Sequence, residues 1–346
     1  MIMRRVLRPD VDVLPRRLGG LSAWEWVLMV GFMASGVATP LLVGFLSRQG
    51  ACGARTMFSV FPNYAIMTLT ICGDWRRRSV GTVRWRGVAA ATVVDAVSQG
   101  ANYTGLVLAG SSTYILIYAS VTVWVAVFSR LALGRRQSRL KWLGCALVSG
   151  GVAITGARAG ARGTDVALGA ALVAAGSVGH SGAYVLMEWN TAVAKDPIAP
   201  ARLASLMGCG GALLYGAYEV AYVAPRWGAL VTESVRDAGG NGRAIALAYA
   251  ALTVAFWVHA YAFYALMTRL GATAAGVYKG LQAAGVLVAS HALFCSPAQP
   301  AQCFDATKAA SFVVIAAGVS LFSAEGAGAP DRDVAPEGVA LVGVVT

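Results

Sequence analysis

Long apolar segments recur along this chain, and they constrain its fold more than any other feature. A helix needs about 20 apolar residues to cross a hydrocarbon layer of about 30 Å. Only 13% of the residues are charged and 57% are hydrophobic, whereas about 25% are charged in an ordinary soluble domain. We therefore predict an all-α polytopic membrane protein with ten transmembrane helices, at about 23–46, 56–73, 87–108, 111–133, 141–157, 166–190, 201–224, 243–268, 271–295 and 307–323.

The formal charge of +12 comes from basic residues that cluster on one side of this predicted topology. They lie in the N-terminal tail, in the loops near residues 76–86 and 135–141, and near Lys195 and Arg269. An excess of Lys and Arg marks the cytosolic side of a membrane protein. We therefore expect a cytosolic basic tail at 1–22 and a disordered cytosolic tail at 324–346. The charge orients the protein and does not indicate a nucleic-acid partner.

Two parts of the sequence resemble each other and indicate an internal repeat. The segments that begin at Ser129 and Ser290 each cross a loop and enter a helix with a lysine, Lys141 or Lys308, ten positions before a Gly-Val pair. A unit of five helices crosses the membrane an odd number of times, so its second copy must be inverted. We predict repeat 1 at 23–157 and repeat 2 at 166–323, the organisation of many secondary transporters.

Polar residues at membrane depth give the candidate site. Asp95, Lys279, His259 and His180 fall at similar distances from the predicted cytosolic helix ends, and intramembrane ionisable groups tend to face a cavity or a partner. Amides one or two turns from Asp95 and Lys279, and two tyrosines four residues apart, extend these faces. The predicted substrate-binding residues are Lys279, Asp95, Gln99, Asn102, Tyr114, Tyr118, Gln282 and His259.

Less specific explanations of the same residues stay open from sequence. Lys279 and Asp95 are also compatible with a structural ion pair, and His180 and His259 with hydrogen-bonded core histidines. Tyr114 and Tyr118 are equally compatible with helix packing.

Cysteines and enzyme motifs narrow the remaining chemistry. Cys295 and Cys303 flank a loop on the side opposite the cytosol, where a disulfide can form, and Cys52 is a rival partner. The sequence has no phosphate-binding loop of the form G-x-x-x-x-G-K-[ST], and its three histidines are scattered along the chain and match no common metal-binding motif. We therefore expect no enzyme activity, no cofactor and no metal.

Residues 95–156, from DAVSQGANYTG through AGSSTY, FSR and GRR to GGVAITG, resemble the drug/metabolite transporter superfamily. Residues 275–279, AGVYK, are similar to a Gly-Ala-Leu-Asn-Lys motif of some nucleotide-sugar carriers, with Tyr278 in place of the Asn. The resemblance implies two inverted five-helix halves around a central cavity, alternating access, and contact of Lys279 with substrate.

Together these features predict a secondary transporter of a small organic, anionic solute, such as a nucleotide sugar. An exporter of amino acids, peptides or drugs and a non-transporting membrane scaffold remain alternatives. The expected partners are the small-molecule solute and membrane lipids, with a homodimer left open. Both termini are predicted in the cytosol, with an endomembrane (Golgi or ER) favoured over a plasma or organellar membrane.

Overall fold

All regular structure in the described part of the chain is helical. The computed structural model describes residues 23–70, 83–134, 137–160, 164–194, 198–297 and 299–324, without the side chains of residues 264–281 and a few others. Within these described ranges, six helical stretches are long and apolar enough to cross a membrane: Trp26–Arg48, Ser111–Leu133, Arg139–Ala159, Asp165–Thr191, Gly242–Phe263 and Pro300–Phe322. The predicted class, an α-helical protein with several membrane-spanning segments, agrees with these helices. The two predicted tails lie outside the described residues, apart from Ala324.

The α-helices are numbered in chain order, and short π- and 3₁₀-helical turns extend some of them. Six of them fall in the predicted first half: α1 Ala23–Arg48, α2 Phe61–Met67, α3 Trp85–Ala109, α4 Ser111–Tyr118, α5 Val121–Leu133 and α6 Arg139–Gly160. The others are α7 Thr164–Glu188, α8 Pro200–Tyr218, α9 Glu233–Asp237, α10 Gly242–Phe294 and α11 Ala306–Ala324.

A tight turn connects α3 to α4, and a local break separates α4 from α5. Gly110 joins α3 to α4 with a φ of 79°, a conformation that residues with a Cβ rarely adopt. The predicted fourth segment, 111–133, is then divided into α4 and α5. At the division, the amides of Ser120, Thr122 and Val123 each donate to the carbonyl three residues earlier, so the helix tightens locally.

The helical stretch α10 covers two of the predicted segments, 243–268 and 271–295, and these two parts run in opposite directions along α1. Its first part lies against α1 in the antiparallel sense, with Val258 near Gly31 and Ala262 near Leu28. Its last part runs parallel to α1, with Gln282 near Gly36, Gly285 near Val37 and Phe294 near Gly44. The chain direction therefore reverses between Phe263 and Gln282.

The most extensive contacts in the described fold are those of α3 with α7, of α1 with α10 and of α6 with α11, and the first and last of these pairs are antiparallel. Glycine lets the backbones approach, as small residues do at helix contacts in membranes. A Cβ on Gly105 would lie 2.6 Å from the carbonyl oxygen of Gly169 in α7. A Cβ on Gly144 would lie 2.6 Å from the carbonyl oxygen of Gly318, and one on Gly318 would lie 2.7 Å from that of Gly144.

The contact between α6 and α11 can be tested with two glycines of one helix. We expect Gly144→Ala to lower the melting temperature of the purified protein, because the added methyl group must separate two backbones at a cost of about 1–3 kcal/mol. In Gly150→Ala the new Cβ meets nothing within 4 Å, so its melting temperature should stay the same or rise slightly. Equal effects of the two substitutions would contradict close packing at Gly144.

Candidate functional site

A cavity of about 170 Å³ lies among the helices and is lined by residues of α1, α2, α3, α4, α5, α7, α10 and α11. Both predicted halves therefore contribute to its wall. Six of the eight predicted substrate-binding residues line it: Asp95, Gln99, Tyr114, Tyr118, Gln282 and His259. The volume is below the range of about 300–1,000 Å³ that is usual for sites of drug-sized ligands.

Asp95 is the carboxylate of this cavity, and it is 3% exposed. Its Oδ2 atom accepts a hydrogen bond of 2.6 Å from the hydroxyl of Tyr64, on α2. Its Oδ1 atom lies 2.8 Å from Nδ1 of His180, on α7. A buried carboxylate is costly unless it is paired and hydrogen-bonded; Tyr64 supplies a hydrogen bond to Oδ2, and the imidazole of His180 lies beside Oδ1. Three helices therefore meet at one carboxylate.

Aromatic rings form much of the remaining wall. Tyr114 and Tyr118 stack with ring centroids 5.2 Å apart, and Tyr184 lies 4.4 Å from His180 and stacks on Phe263 at 6.0 Å. Aromatic pairs at 4.5–7 Å are attractive, and their faces also attract cations and apolar groups. The wall is therefore suited to a ligand with a ring, an apolar group or a positive charge.

His259 and Gln282 occupy the α1 side of the cavity. His259 stacks on Phe32 at 4.6 Å, and its Nδ1 atom lies 3.2 Å from the hydroxyl oxygen of Ser35. The side-chain amide of Gln282 donates to the carbonyl of Phe32 over 2.9 Å. Residues on either side of the 264–281 segment of α10 therefore contact the same turn of α1.

Two predicted site residues do not join this wall in the described structure. Asn102 is fully buried outside the cavity lining, where its amide nitrogen lies 3.5 Å from Oε1 of Gln99 and its side chain faces Gly176 of α7. The close contact of α3 with α7 explains this placement, and the predicted contact of Asn102 with substrate stays a prediction. The side chain of Lys279 lies outside the described residues, so its predicted contact with substrate stays a prediction.

Sequence reasoning missed His180, Tyr64 and Tyr184 as site residues. His180 was one of the predicted ionisable groups at membrane depth, and Tyr184 follows it by one helical turn, so the signal for both was present. Tyr64 had no comparable signal, because its place beside Asp95 depends on how α2 packs against α3 and α8.

A second polar cluster lies at the end of the bundle where Arg48 contacts Phe294. Gln302 is buried, and its Oε1 atom accepts hydrogen bonds from the hydroxyls of Ser111 and Ser290, at 3.2 and 2.7 Å. Lys308 is only 3% exposed, and its ammonium donates to Ser112 Oγ at 2.7 Å and to the carbonyls of Ala301 and Cys303. This cluster joins α4, α10 and α11.

The loop that carries Gln302 is closed by a disulfide between Cys295 and Cys303, the predicted pair. The rival, Cys52, is a free thiol, and burial raises its pKa to about 12, which keeps it protonated and unreactive. Among the described residues, His291 and the two bonded cysteines lie close enough together to be considered as metal ligands. Because a disulfide offers no thiolate, this group does not suit a metal in the oxidised state.

No protein-family model matches the sequence, and no curated protein matches it. Fifteen chains of solved structures do match. One of them, described only as "Crystal structure of protein", has a TM-score of 0.50 and 18% sequence identity, over 86% of this chain and 95% of that chain. At this identity the likeness concerns the fold alone.

The buried Lys308 can be tested against Lys141, its counterpart in the predicted repeat. Lys308→Met should destabilise the protein by about 2 kcal/mol or more, because it removes the donor from one buried and two partly buried acceptors. Lys141→Met should cost less than about 1 kcal/mol, because the contact described for the Lys141 ammonium is with the ring of Phe322, at 5.8 Å. Thermal unfolding of the two purified variants measures the difference, and equal losses would refute the described role of Lys308.

Proposed function

We propose that this protein is a secondary carrier that moves a small organic solute across a membrane by alternating access. The observation that carries the proposal is the cavity between the two predicted halves, which contains the buried Asp95 and His180 pair. Ionisable groups inside a membrane protein are costly, and they mark solute or ion pathways when they line a cavity. A non-transporting scaffold has no need of such a cavity.

The ten-span inverted repeat forms part of this proposal, and the helix contacts support it. When one predicted half is mapped onto the other, the helices correspond in chain order: α1 with α7, α2 with α8, α3 with the first part of α10, α4 and α5 with the last part of α10, and α6 with α11. The contact of α3 with α7 then becomes the contact of the first part of α10 with α1, and both are extensive and antiparallel. The same exchange maps the contact of α2 with α8 onto itself, and it does the same for the contact of α6 with α11.

The glycines of α6 and α11 agree with the same exchange. The sequence match of Lys141 with Lys308 places Gly144 opposite Ser311 and Gly151 opposite Gly318. A Cβ on Gly151 would lie 2.9 Å from the carbonyl oxygen of Ser311, which mirrors the approach of Gly144 to Gly318. Carriers built from inverted repeats bind solute between the repeats, which is where this cavity lies.

The described lining of the cavity favours a small zwitterionic or cationic solute with an aromatic group. Its carboxylate, Asp95, disfavours an anion nearby, whereas it attracts an ammonium group. The stacked Tyr114 and Tyr118 and the neighbouring Tyr184 offer ring faces to an aromatic or cationic group. A volume of about 170 Å³ suits a solute the size of an amino acid. This corresponds to the alternative that the sequence left open, an exporter of amino acids or drugs.

A nucleotide sugar remains the second candidate because of Lys279. An ammonium at this position would attract phosphate, and AGVYK resembles the motif of nucleotide-sugar carriers. A solute of that size needs a wider cavity than the described conformation offers. The proposed topology keeps both tails in the cytosol, and it favours an endomembrane for this candidate.

Binding and uptake of three probes test the proposal. Phenyltrimethylammonium, L-tyrosine and UDP-glucose represent a cationic, a zwitterionic and an anionic solute. We expect the first two to raise the melting temperature of the purified protein and to enter liposomes that contain it, because a bound ligand stabilises the folded state. The second candidate would be favoured if UDP-glucose alone stabilised the protein and entered the liposomes, and if Lys279→Ala abolished both effects. No uptake of any probe would contradict a carrier of these solute classes.

Variants of the cavity sharpen this test. Tyr118→Ala should weaken binding of phenyltrimethylammonium about tenfold, because it removes one ring face from the wall. Val97→Ala is the control, since Val97 lies on α3 between Asp95 and Gln99 but outside the cavity lining, and it is 70% exposed. Its affinity should stay at the level of the unaltered protein, and an equal loss in both variants would argue against binding in this cavity.

A further inference from the structure

The loop between α10 and α11 reaches into the helix bundle through the side chain of Gln302. Its Oε1 atom accepts hydrogen bonds from the hydroxyls of Ser111 and Ser290, and from the backbone amide of Ser112 at 3.4 Å. That amide belongs to the first turn of α4, where backbone donors have no acceptor within the helix. The amide nitrogen of Gln302 packs against the backbone of Gly110, where any Cβ would clash. One side chain of the loop therefore covers the end of α4.

Lys308 holds the same loop from the side of α11. Its buried ammonium donates to two carbonyls of the loop and to the hydroxyl of Ser112. The cavity begins about one helical turn further along both helices, at Tyr114 on α4 and at Phe312 on α11. These contacts therefore form the layer next to the cavity. We call this layer the loop gate, and its residues are Gln302, Lys308, Ser111, Ser112 and Ser290.

The disulfide between Cys295 and Cys303 restricts the loop that carries half of this gate. Gln302 directly precedes Cys303, and one of the carbonyls that accept from Lys308 belongs to Cys303 itself. A cross-linked loop has few conformations available outside the bundle, so it gains little entropy when the loop gate opens. Without the cross-link, the chain between α10 and α11 gains more conformational freedom on opening. Loss of the disulfide therefore shifts the gate from closed towards open.

Reagents dissolved in water can reach this disulfide, because Cys295 is exposed and Cys303 is partly exposed. A dithiol reduces such a bond in two steps. One of its thiolates attacks a sulfur of the bond, which breaks the S–S bond and forms a mixed disulfide, and its second thiolate then displaces the protein sulfur. The protein gains two electrons and two protons as two thiols, and the dithiol becomes a cyclic disulfide.

From this arrangement we infer that the disulfide between Cys295 and Cys303 is a redox switch for the adjacent end of the cavity. The oxidised loop keeps the loop gate closed, and reduction by a dithiol opens it. The inference rests on the proposed carrier function and specifies how that carrier is regulated. In the proposed topology this end of the cavity faces away from the cytosol, and we call that side of the membrane the loop side.

The switch acts on the distribution between the two access states of the carrier. A solute on the loop side binds only those molecules whose loop gate is open, so its apparent dissociation constant is the intrinsic constant divided by the open fraction. Reduction therefore lowers the apparent dissociation constant on the loop side and raises it on the cytosolic side. A disulfide that only stabilises the fold changes the melting temperature without these opposite changes.

Labelling of a thiol in the cavity measures the open fraction. The reporter is Ala119→Cys, at a residue of the cavity lining, in liposomes where a C-terminal tag has fixed the orientation of the protein. A membrane-impermeant maleimide on the loop side should label this thiol about threefold faster, or more, when Cys295→Ser and Cys303→Ser replace the disulfide. Alanine replaces the other cysteines of the sequence in both proteins: Cys52, Cys72, Cys145 and Cys209.

Further variants connect the labelling to the loop gate. Gln302→Ala keeps the disulfide and removes the acceptor of the gate, so it should raise labelling from the loop side as well. Its combination with Cys295→Ser and Cys303→Ser should add little, because both changes act on one gate. Ser296→Ala, in the same loop but outside the loop gate, is the control and should label like the parent protein. Gel filtration and thermal unfolding confirm that each variant is folded.

Reduction of the unaltered protein tests the switch itself. Dithiothreitol should lower the half-saturating concentration for uptake of phenyltrimethylammonium from the loop side about threefold or more, and reoxidation should restore it. The variant with Cys295→Ser and Cys303→Ser should not respond to dithiothreitol. This measurement needs no substitution in the chain, so it tests the inference even where the serine variant does not fold.

The outcomes distinguish the switch from the carrier. Equal labelling with and without the disulfide would overturn the switch and leave the carrier intact, and so would uptake that ignores dithiothreitol. A response of the folded serine variant to dithiothreitol would overturn this disulfide as the site of the switch. No uptake of any probe, with labelling that still rises when the disulfide is lost, would overturn the carrier function and support control of the gate by the disulfide.

Discussion

The close antiparallel approach of α3 to α7 is the contact on which the site depends. Small residues along both helices bring the backbones together, as at Gly105 and Gly169. This approach places Asp95 of one helix within 2.8 Å of His180 of the other. Larger side chains at the contact would separate the helices and leave a buried carboxylate without its partner, a loss that costs several kcal/mol in protein interiors, typically about 3–5.

The same arrangement explains why a charged residue is tolerated among so many apolar ones. Asp95 has a hydroxyl donor on one oxygen and an imidazole on the other, so its charge is partly compensated before any ligand binds. The compensation remains incomplete as long as His180 is neutral. A cavity wall with this property attracts a positive charge, whether it is a proton or the ammonium of a solute, and the aromatic rings around it add to that attraction.

Much of the helical organisation could be predicted from the sequence, because apolar segments in a membrane protein must satisfy their backbone hydrogen bonds as helices. The segments 141–157 and 307–323 correspond closely to Arg139–Gly160 and Ala306–Ala324. The division of 111–133 into α4 and α5 was not predictable, since its cause is a local tightening at Ser120 without proline or glycine. Six of the predicted site residues line one cavity because polar residues at membrane depth avoid the lipid.

The residues that sequence reasoning missed depend on contacts between helices that are distant in the chain. Tyr64 reaches Asp95 only because α2 packs against α8 beside α3. The sequence marks Lys308 only as a position of the predicted repeat, and the structure buries it against the carbonyls of the disulfide-closed loop. Asn102 follows Asp95 at helical spacing, but the approach of α7 covers it. Periodicity gives the face of a helix, and only the packing decides which neighbour that face meets.

The polar cluster around Gln302 is a contact that could open and close during the proposed alternating access. It joins α4, α10 and α11, three of the helices that line the cavity, at one end of the bundle. Its bonds between neutral groups are each worth only about 0.5–1.5 kcal/mol net, and those of the Lys308 ammonium about 1.5–3 kcal/mol, because water replaces them when they open. Such a cluster can close one end of a solute path in one state and open in another at a moderate cost. An apolar contact of the same extent, once separated, would expose apolar surface to water with no compensating hydrogen bonds.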